Sequence, residues 1–166
     1  MTDPFTYQRI SKDDAVVLLV DHQSGLISLV QDHSPAEFKN NVLALGAVAK
    51  FFELPTILTT SFEDGPNGPI VPELKEMFPD APFIARPGQI NAWDNAEFVE
   101  AIRATGRKQI IIAGVVTDVC VAFPALSALE EYPDRMVEMG RFCIAPERSD
   151  PDILRAAWTA MTRYVD

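Results

Sequence analysis

Residues 109–129, QIIIAGVVTDVCVAFPALSAL, constrain this chain more than any other stretch, because their periodicity changes midway. Gln109, Ile110, Ile111, Ile112 and Ala113 form a short apolar run, rich in β-branched residues, of the kind a strand buried on both faces requires. Gly114 breaks the run. After Thr117 the apolar residues Val119, Phe123, Leu126 and Leu129 recur at helical intervals. Thr117 has a side chain suited to an N-cap, and Asp118 suits the positive end of the helix dipole. Cys120 then falls in the first turn, beside backbone N–H groups without intrahelical partners, a position that favours thiolate over thiol. Strand, sharp turn and nucleophile at a helix start together suit hydrolysis. A buried, space-filling cysteine is the competing reading, and the rest of the chain has to decide between them.

Upstream, residues 15–20 (AVVLLV) read as a second doubly buried strand, ending at Asp21. The segment 21–25 turns the chain. Ser34, Pro35 and Glu37 then supply a capping serine, a first-turn proline and a glutamate three residues after the cap. That helix is expected to run to about residue 52, with Phe38, Val42, Leu45, Val48 and Phe52 inward. Residues 56–60 form the next strand. A Gly- and Pro-rich loop over 61–72 leads to a short helix near 73–77. Residues 83–85 form a brief strand ending at Arg86, and Asp94 is placed to cap a helix with Phe98, Val99 and Ile102 inward, stopped by Gly106. Residues 136–139 are a weak fifth strand, and a last helix starts at Asp150 and Pro151. Strands alternating with helices predict an α/β fold, a three-layer α/β/α doubly wound arrangement with a mostly parallel sheet in Rossmann-like order.

With 166 residues, no internal repeat and no linker, residues 1–166 read as one domain. No uncharged apolar segment approaches the ~20 residues that span a bilayer, and the N-terminus lacks a signal-peptide core. Two cysteines without metal-ligand spacing point to a reducing, cytoplasmic setting. A net charge of −10 argues against nucleic acid and anionic membranes as partners.

In doubly wound sheets the ligand lies beyond the carboxyl ends of the strands. Asp21, Arg86 and the turn to Cys120 occupy three such ends, distant in sequence but on one edge of the sheet. A thiol attacking a carbonyl or nitrile needs a base and a place for developing negative charge. Asp21 could take the Cys120 proton and return it to a leaving amine, with Arg86 holding Asp21 ionised. Backbone N–H groups between Val116 and Cys120 could form an oxyanion hole. Against this, an aspartate at a strand end is often a turn residue, and an arginine before proline is often in a surface ion pair. Gln23, Phe62, Trp93 and Thr117 are candidate pocket residues, although core packing accounts for the aromatic pair equally well. His22 reads as structural or as a pocket wall, and His33 as surface loop.

Asp21 in LLVDHQ, the run IARPGQINAW over 84–93 and, above all, GVVTDVCV resemble the isochorismatase-like cysteine hydrolases, and within them the YcaC-type subgroup. The resemblance covers about residues 10–131, with three separated motifs in order. It implies Asp21, Arg86 and Cys120 as a catalytic triad, a cis peptide at Val115–Val116, and oxyanion donors at the N–H groups of Val116 and Cys120. It also implies a small-molecule substrate and a homo-oligomer, in the YcaC type an octamer of stacked rings. Arginine stands where the family usually has lysine, and its permanently charged fork leaves Asp21 as the base. Nicotinamidases of the family hold a metal through histidine and aspartate after the second strand. The corresponding TTSFEDGPNGPI has no histidine, so no metal and no cofactor are expected. Beyond Glu131 the likeness fades, the sixth strand and final helix of the family are not visible, and Cys143 carries no expected role.

The expected function is therefore a cysteine hydrolase that cleaves a small amide or carbamoyl C–N bond through a thioester. The alternative is a catalytically weak, redox-sensing member with an activated thiol. A receiver- or flavodoxin-like domain would need acidic clusters or a phosphate loop, and neither is present.

Overall fold

A computed structural model of the protein describes residues 10–131 and the backbone of 137–139. The helix expected from Asp150 and the thiol of Cys143 lie outside the described residues. Five strands, β1 (Ala15–Val20), β2 (Thr56–Ser61), β3 (Phe83–Arg86), β4 (Gln109–Gly114) and β5 (Val137–Met139), form one sheet in the order β3-β2-β1-β4-β5. Every neighbouring pair is parallel. All residues of β1 and β2 are buried, as continuous apolar or hydroxyl-bearing runs must be when helices cover both faces.

On one face Val16, Leu18, Val20, Ile57, Ile84 and Ile112 pack against Phe98 and Ile102 of α4 (Ala96–Ala104) and Ala128 of α5 (Ala122–Glu131). On the other, Val17, Leu19 and Leu58 pack against Val42 and Ala49 of α2 (Pro35–Phe51) and Leu74 of α3 (Pro72–Met77). The result is the expected three-layer α/β/α fold. A one-turn helix, α1 (Ser24–Ile27), follows β1 where only a turn was expected.

Local signals act mostly as read. Ser34 Oγ accepts the Glu37 N–H at 3.2 Å with Pro35 opening α2. The cap of α4, however, is Asn95, whose side chain accepts the Phe98 N–H at 3.0 Å; Asp94 belongs to a 3₁₀ turn, Ala92–Asp94. The inner face of α2 also differs from expectation, and both α2 and α5 bury mainly small residues. In α2 the buried residues are Val42, Gly46 and Ala49, while Val48 and Phe52 are exposed. In α5 they are Pro124, Ala125 and Ala128, while Phe123 and Leu126 are exposed. Small residues let a helix backbone approach its support closely. A Cβ on Gly46 would lie 2.8 Å from Met77 Sδ of α3, so the glycine sets how near α2 comes to α3.

The chain winds outward from β1 in one direction through β2 and β3, then crosses back to place β4 on the other side. The carboxyl ends of β1 and β4 therefore flank the switch point, where doubly wound sheets open a crevice. Gly114, last in β4, pairs in register with Val20, last in β1. A Cβ there would stand 2.6 Å from the Val20 carbonyl oxygen and 3.0 Å from Val121 Cγ2. Only glycine lets the two strand ends close this tightly. Gly114→Ala is accordingly expected to cost about 1–3 kcal/mol through forced displacement, read as a lower urea midpoint. An unchanged midpoint would mean that the turn yields freely.

His22, just past β1, is 2% exposed and its Nδ1 has no hydrogen-bond partner among the described residues. Burial pulls its pKa from 6.5 down to about 4. The unfolded chain then takes up a proton that the fold refuses. The stability this confers is fully present above pH 6.5 and is lost as pH falls toward about 4. Denaturant titrations across that window should show a loss of roughly 3 kcal/mol in the natural protein. The slope should flatten in His22→Gln, and an equal slope in both would remove His22 as its source.

Candidate active site

Asp21 leaves β1 in the left-handed region, with φ of 56°, a conformation that aspartate tolerates better than a branched residue. Its N–H donates to the Thr59 carbonyl of β2 at 2.9 Å, so the sharp turn stays tied to the neighbouring strand. The carboxylate is turned inward, and the residue is only 1% exposed. Arg86 ends β3 two strands away and is 2% exposed. Its guanidinium donates through all three nitrogens, and Nη1 also reaches the Ile90 carbonyl at 3.5 Å. Nη2 donates to Asp21 Oδ1, Nε donates to Thr59 Oγ1 at 3.0 Å, and Nη1 donates to the Gln89 carbonyl. The Thr59 hydroxyl itself donates to the Ile84 carbonyl at 2.8 Å.

Cys120 lies in a π-helical turn, Thr117–Val121, that carries the chain from β4 into α5. π turns interrupt regular helix and often mark functional positions. The thiol is half-buried against the core of the α4–α5 face and stands beside the Asp21 carboxylate. The three sequence-predicted residues thus meet: Arg86 on Asp21, and Asp21 on Cys120. The peptide bond between Val115 and Val116 is cis.

Charge at this centre differs from the sequence reading. Burial first, and then the adjacent Asp21 charge and hydrogen bond, push the Cys120 thiol up to about 12. A backbone hydrogen bond from Val116 and the Arg86 charge pull the other way without prevailing. The Cys120 N–H, expected as an oxyanion donor, donates at rest to the Val116 carbonyl at 2.9 Å. Cys120 is therefore a neutral thiol at rest, which corrects the expected thiolate. Burial also raises the Asp21 carboxyl above the usual carboxylate value, against the pull of Arg86 and of the thiol hydrogen bond. A carboxylate so placed is a better proton acceptor than a surface aspartate.

The proposed pocket residues fare unevenly. Gln23 is fully buried and spends its amide on the protein. Its Oε1 accepts the Ser61 N–H at 2.8 Å, and its Nε2 donates to the Ser61 and Gly68 carbonyls at 3.0 and 2.6 Å. It clamps the end of β2 to the following loop, which corrects its assignment as a pocket residue. Thr117 does not cap the helix: Val116 occupies the N-cap position, with no side-chain bond, and Thr117 is the first residue of the π turn. Trp93 packs edge-to-face on Phe98 at 6.3 Å, and its Nε1 donates to Glu131 Oε2 at 2.9 Å. That makes it a brace between the 3₁₀ turn and α5. Phe62 is half-exposed with φ of 50°, and its N–H donates to the Arg86 carbonyl at 3.0 Å, beside the triad. Among the described residues no group of three or more His, Cys, Asp or Glu side chains is placed to hold a metal ion.

Thr59 and the carbonyl of Gln89 were missed from the sequence. The available signal was the hydroxyl-rich end of β2, Thr59-Thr60-Ser61, which is fully buried in an otherwise apolar sheet. Hydroxyls at such a depth need partners.

Residues 15–131 match the Isochorismatase domain family. The chain is 73% identical over 137 residues to the Escherichia coli (strain K12) protein named Probable hydrolase YcaC, covering 82% of this chain and 65% of that protein. It spans less than two thirds of that relative's length. The solved structure of YcaC from Pseudomonas aeruginosa, with hexane-2,5-diol and covalent acrylamide, superposes with a TM-score of 0.83 at 67% identity, over 96% of this chain and 77% of that one. The Escherichia coli YcaC structure, described as an octameric hydrolase of unknown specificity, gives a TM-score of 0.83 at 61% identity, over 96% of this chain and 76% of that one. No helix among the described residues is long and apolar enough to cross a membrane. With its parallel sheet, its strand-end aspartate and arginine, and a cysteine in the turn after β4, this chain belongs to the isochorismatase family.

Proposed function

We propose that this protein is a cysteine hydrolase that opens a small amide- or carbamoyl-type C–N bond through a thioester on Cys120. The observation that carries the reading is the buried Arg86–Asp21 pair with the Cys120 thiol beside its carboxylate, assembled at the switch point from two strand ends and the turn after β4. As Sγ bonds to the substrate carbonyl carbon, the thiol proton passes to Asp21. The carbonyl oxygen takes the negative charge and is met by the Val116 N–H and by the Cys120 N–H, shared with the Val116 carbonyl. Collapse breaks the C–N bond, and Asp21 gives its proton to the leaving nitrogen. Water then attacks the thioester, losing a proton to Asp21, which returns it to sulfur. Arg86 does no proton transfer, because its guanidinium stays charged; it fixes Asp21 and offsets its charge.

A resting thiol suits this cycle, since the sulfur loses its proton only when a carbonyl is in place. It disfavours redox sensing, which needs an exposed thiolate. Covalent acrylamide in the Pseudomonas aeruginosa relative supports a nucleophile in that protein that reacts with a small amide-bearing electrophile. The octamer of the Escherichia coli relative supports a homo-oligomer here, and the exposed Phe51, Phe52 and Phe123 offer apolar surface for it. Light scattering that shows only monomer would remove that part of the reading. We also infer a cytoplasmic protein that acts without metal or cofactor.

Alkylation of Cys120 by acrylamide across pH tests the centre. Assisted by Asp21, the rate should rise through the raised carboxyl pKa and then level off. It should be lost as pH falls back through that value, because the protonated carboxyl accepts nothing. Asp21→Asn should slow it by about 10²–10⁴ and abolish the plateau. Cys120→Ala should abolish the plateau-phase labelling, leaving only what Cys143 contributes, and leave folding intact. A natural-protein rate that climbs steadily with pH, as attack by free thiolate would, counts against the assisted mechanism. On an amide panel, added hydroxylamine should divert product to the hydroxamate, and its absence despite turnover would exclude the thioester.

A further inference from the structure

We infer that Thr59 is a positioning residue, whose hydroxyl holds the Arg86 guanidinium in the plane that serves Asp21. The inference rests on the proposed roles of Asp21 and Cys120 and extends them to a strand that carries none of the triad. Thr59 is fully buried in the middle of β2, between β1 and β3. Its hydroxyl hydrogen is committed to the Ile84 carbonyl at 2.8 Å, so its oxygen meets Arg86 Nε only as an acceptor, at 3.0 Å. That fixed polarity suits a cation. Its backbone carbonyl meanwhile accepts the Asp21 N–H at 2.9 Å. One residue therefore anchors both members of the ion pair, Asp21 through main chain and the Arg86 guanidinium through side chain.

The Nε contact matters because it sits at the root of the planar fork. The Gln89 carbonyl holds Nη1 and Asp21 holds Nη2, and the bond from Thr59 opposes rotation of that plane about the arginine stem. Without the hydroxyl, Nε–H is a buried donor with no partner, and the fork has to turn or draw in water to satisfy it. Either outcome loosens Nη2 from Asp21. The other charged or titratable groups at Asp21 are the Cys120 thiol, which stands beside it, and the buried His22 next in the chain. Neither takes over the role of a fixed cation, since the thiol is neutral and the imidazole is uncharged at neutral pH.

The test compares the pH profile of acrylamide labelling at Cys120 in the natural protein, Thr59→Val and Thr59→Ser. Valine keeps shape and removes the hydroxyl. It should move the acid limb to higher pH and slow labelling on that limb roughly tenfold, the scale of one charge-assisted hydrogen bond. Serine restores the hydroxyl and should restore the profile. An unshifted valine variant, or a serine variant shifted as far as valine, overturns the inference. Should valine fail to fold, the Arg86 Nε–H proton of the natural protein decides by NMR: slow solvent exchange supports the bond, and exchange as fast as free arginine overturns it. A natural protein without any acid limb would instead overturn the role of Asp21, while the Nε–H exchange still reports on Thr59.

Discussion

A carboxylate and a guanidinium almost wholly removed from water are the condition on which this site is built. Asp21 and Arg86 are 1% and 2% exposed, and taking either charge out of solvent alone costs several kcal/mol. Together, with Thr59 and a backbone carbonyl satisfying the rest of the fork, they become tolerable. A buried pair of this kind contributes little net stability, yet leaving one member alone is expensive. What it provides is geometry. It ties the end of β1 to the end of β3 across β2, and it aims the remaining capacity of Asp21 at the sulfur beyond β4.

The state of that sulfur follows from the same arrangement. A cysteine beside helix N–H groups and a cation has every reason to ionise, and a cysteine beside a buried carboxylate has every reason not to. Here burial weighs most, and the Asp21 carboxylate beside the sulfur acts in the same direction, outweighing Arg86. The site therefore keeps a proton on sulfur and a proton acceptor next to it.

Much of this was legible in the residues. Ala15–Val20 is an unbroken apolar run, so the extent of β1 and its burial on both faces follow directly, and with them the position of Asp21 at the sheet edge. Arg86 and Cys120 were found in the same way, as polar residues at strand ends. The inner face of α2 was less legible, because Val48 and Phe52 outweigh their small neighbours in any apolar pattern. In the fold, Ala125, Ala128, Gly46 and Ala49 are what the sheet and α3 admit. Gln23, Thr59 and the protonation of Cys120 were illegible for a different reason. Each depends on a partner some 25 to 100 positions away, and periodicity carries no information about such pairings.

The brace formed by Trp93 has an optical consequence. Its indole N–H is held by Glu131 at the end of α5, and its ring lies edge-on to Phe98 of α4. The same α5 begins directly after the turn that bears Cys120. Any displacement of that helix would change the polarity around the indole, so the emission of this tryptophan is a built-in reporter of movement in the element that follows the thiol.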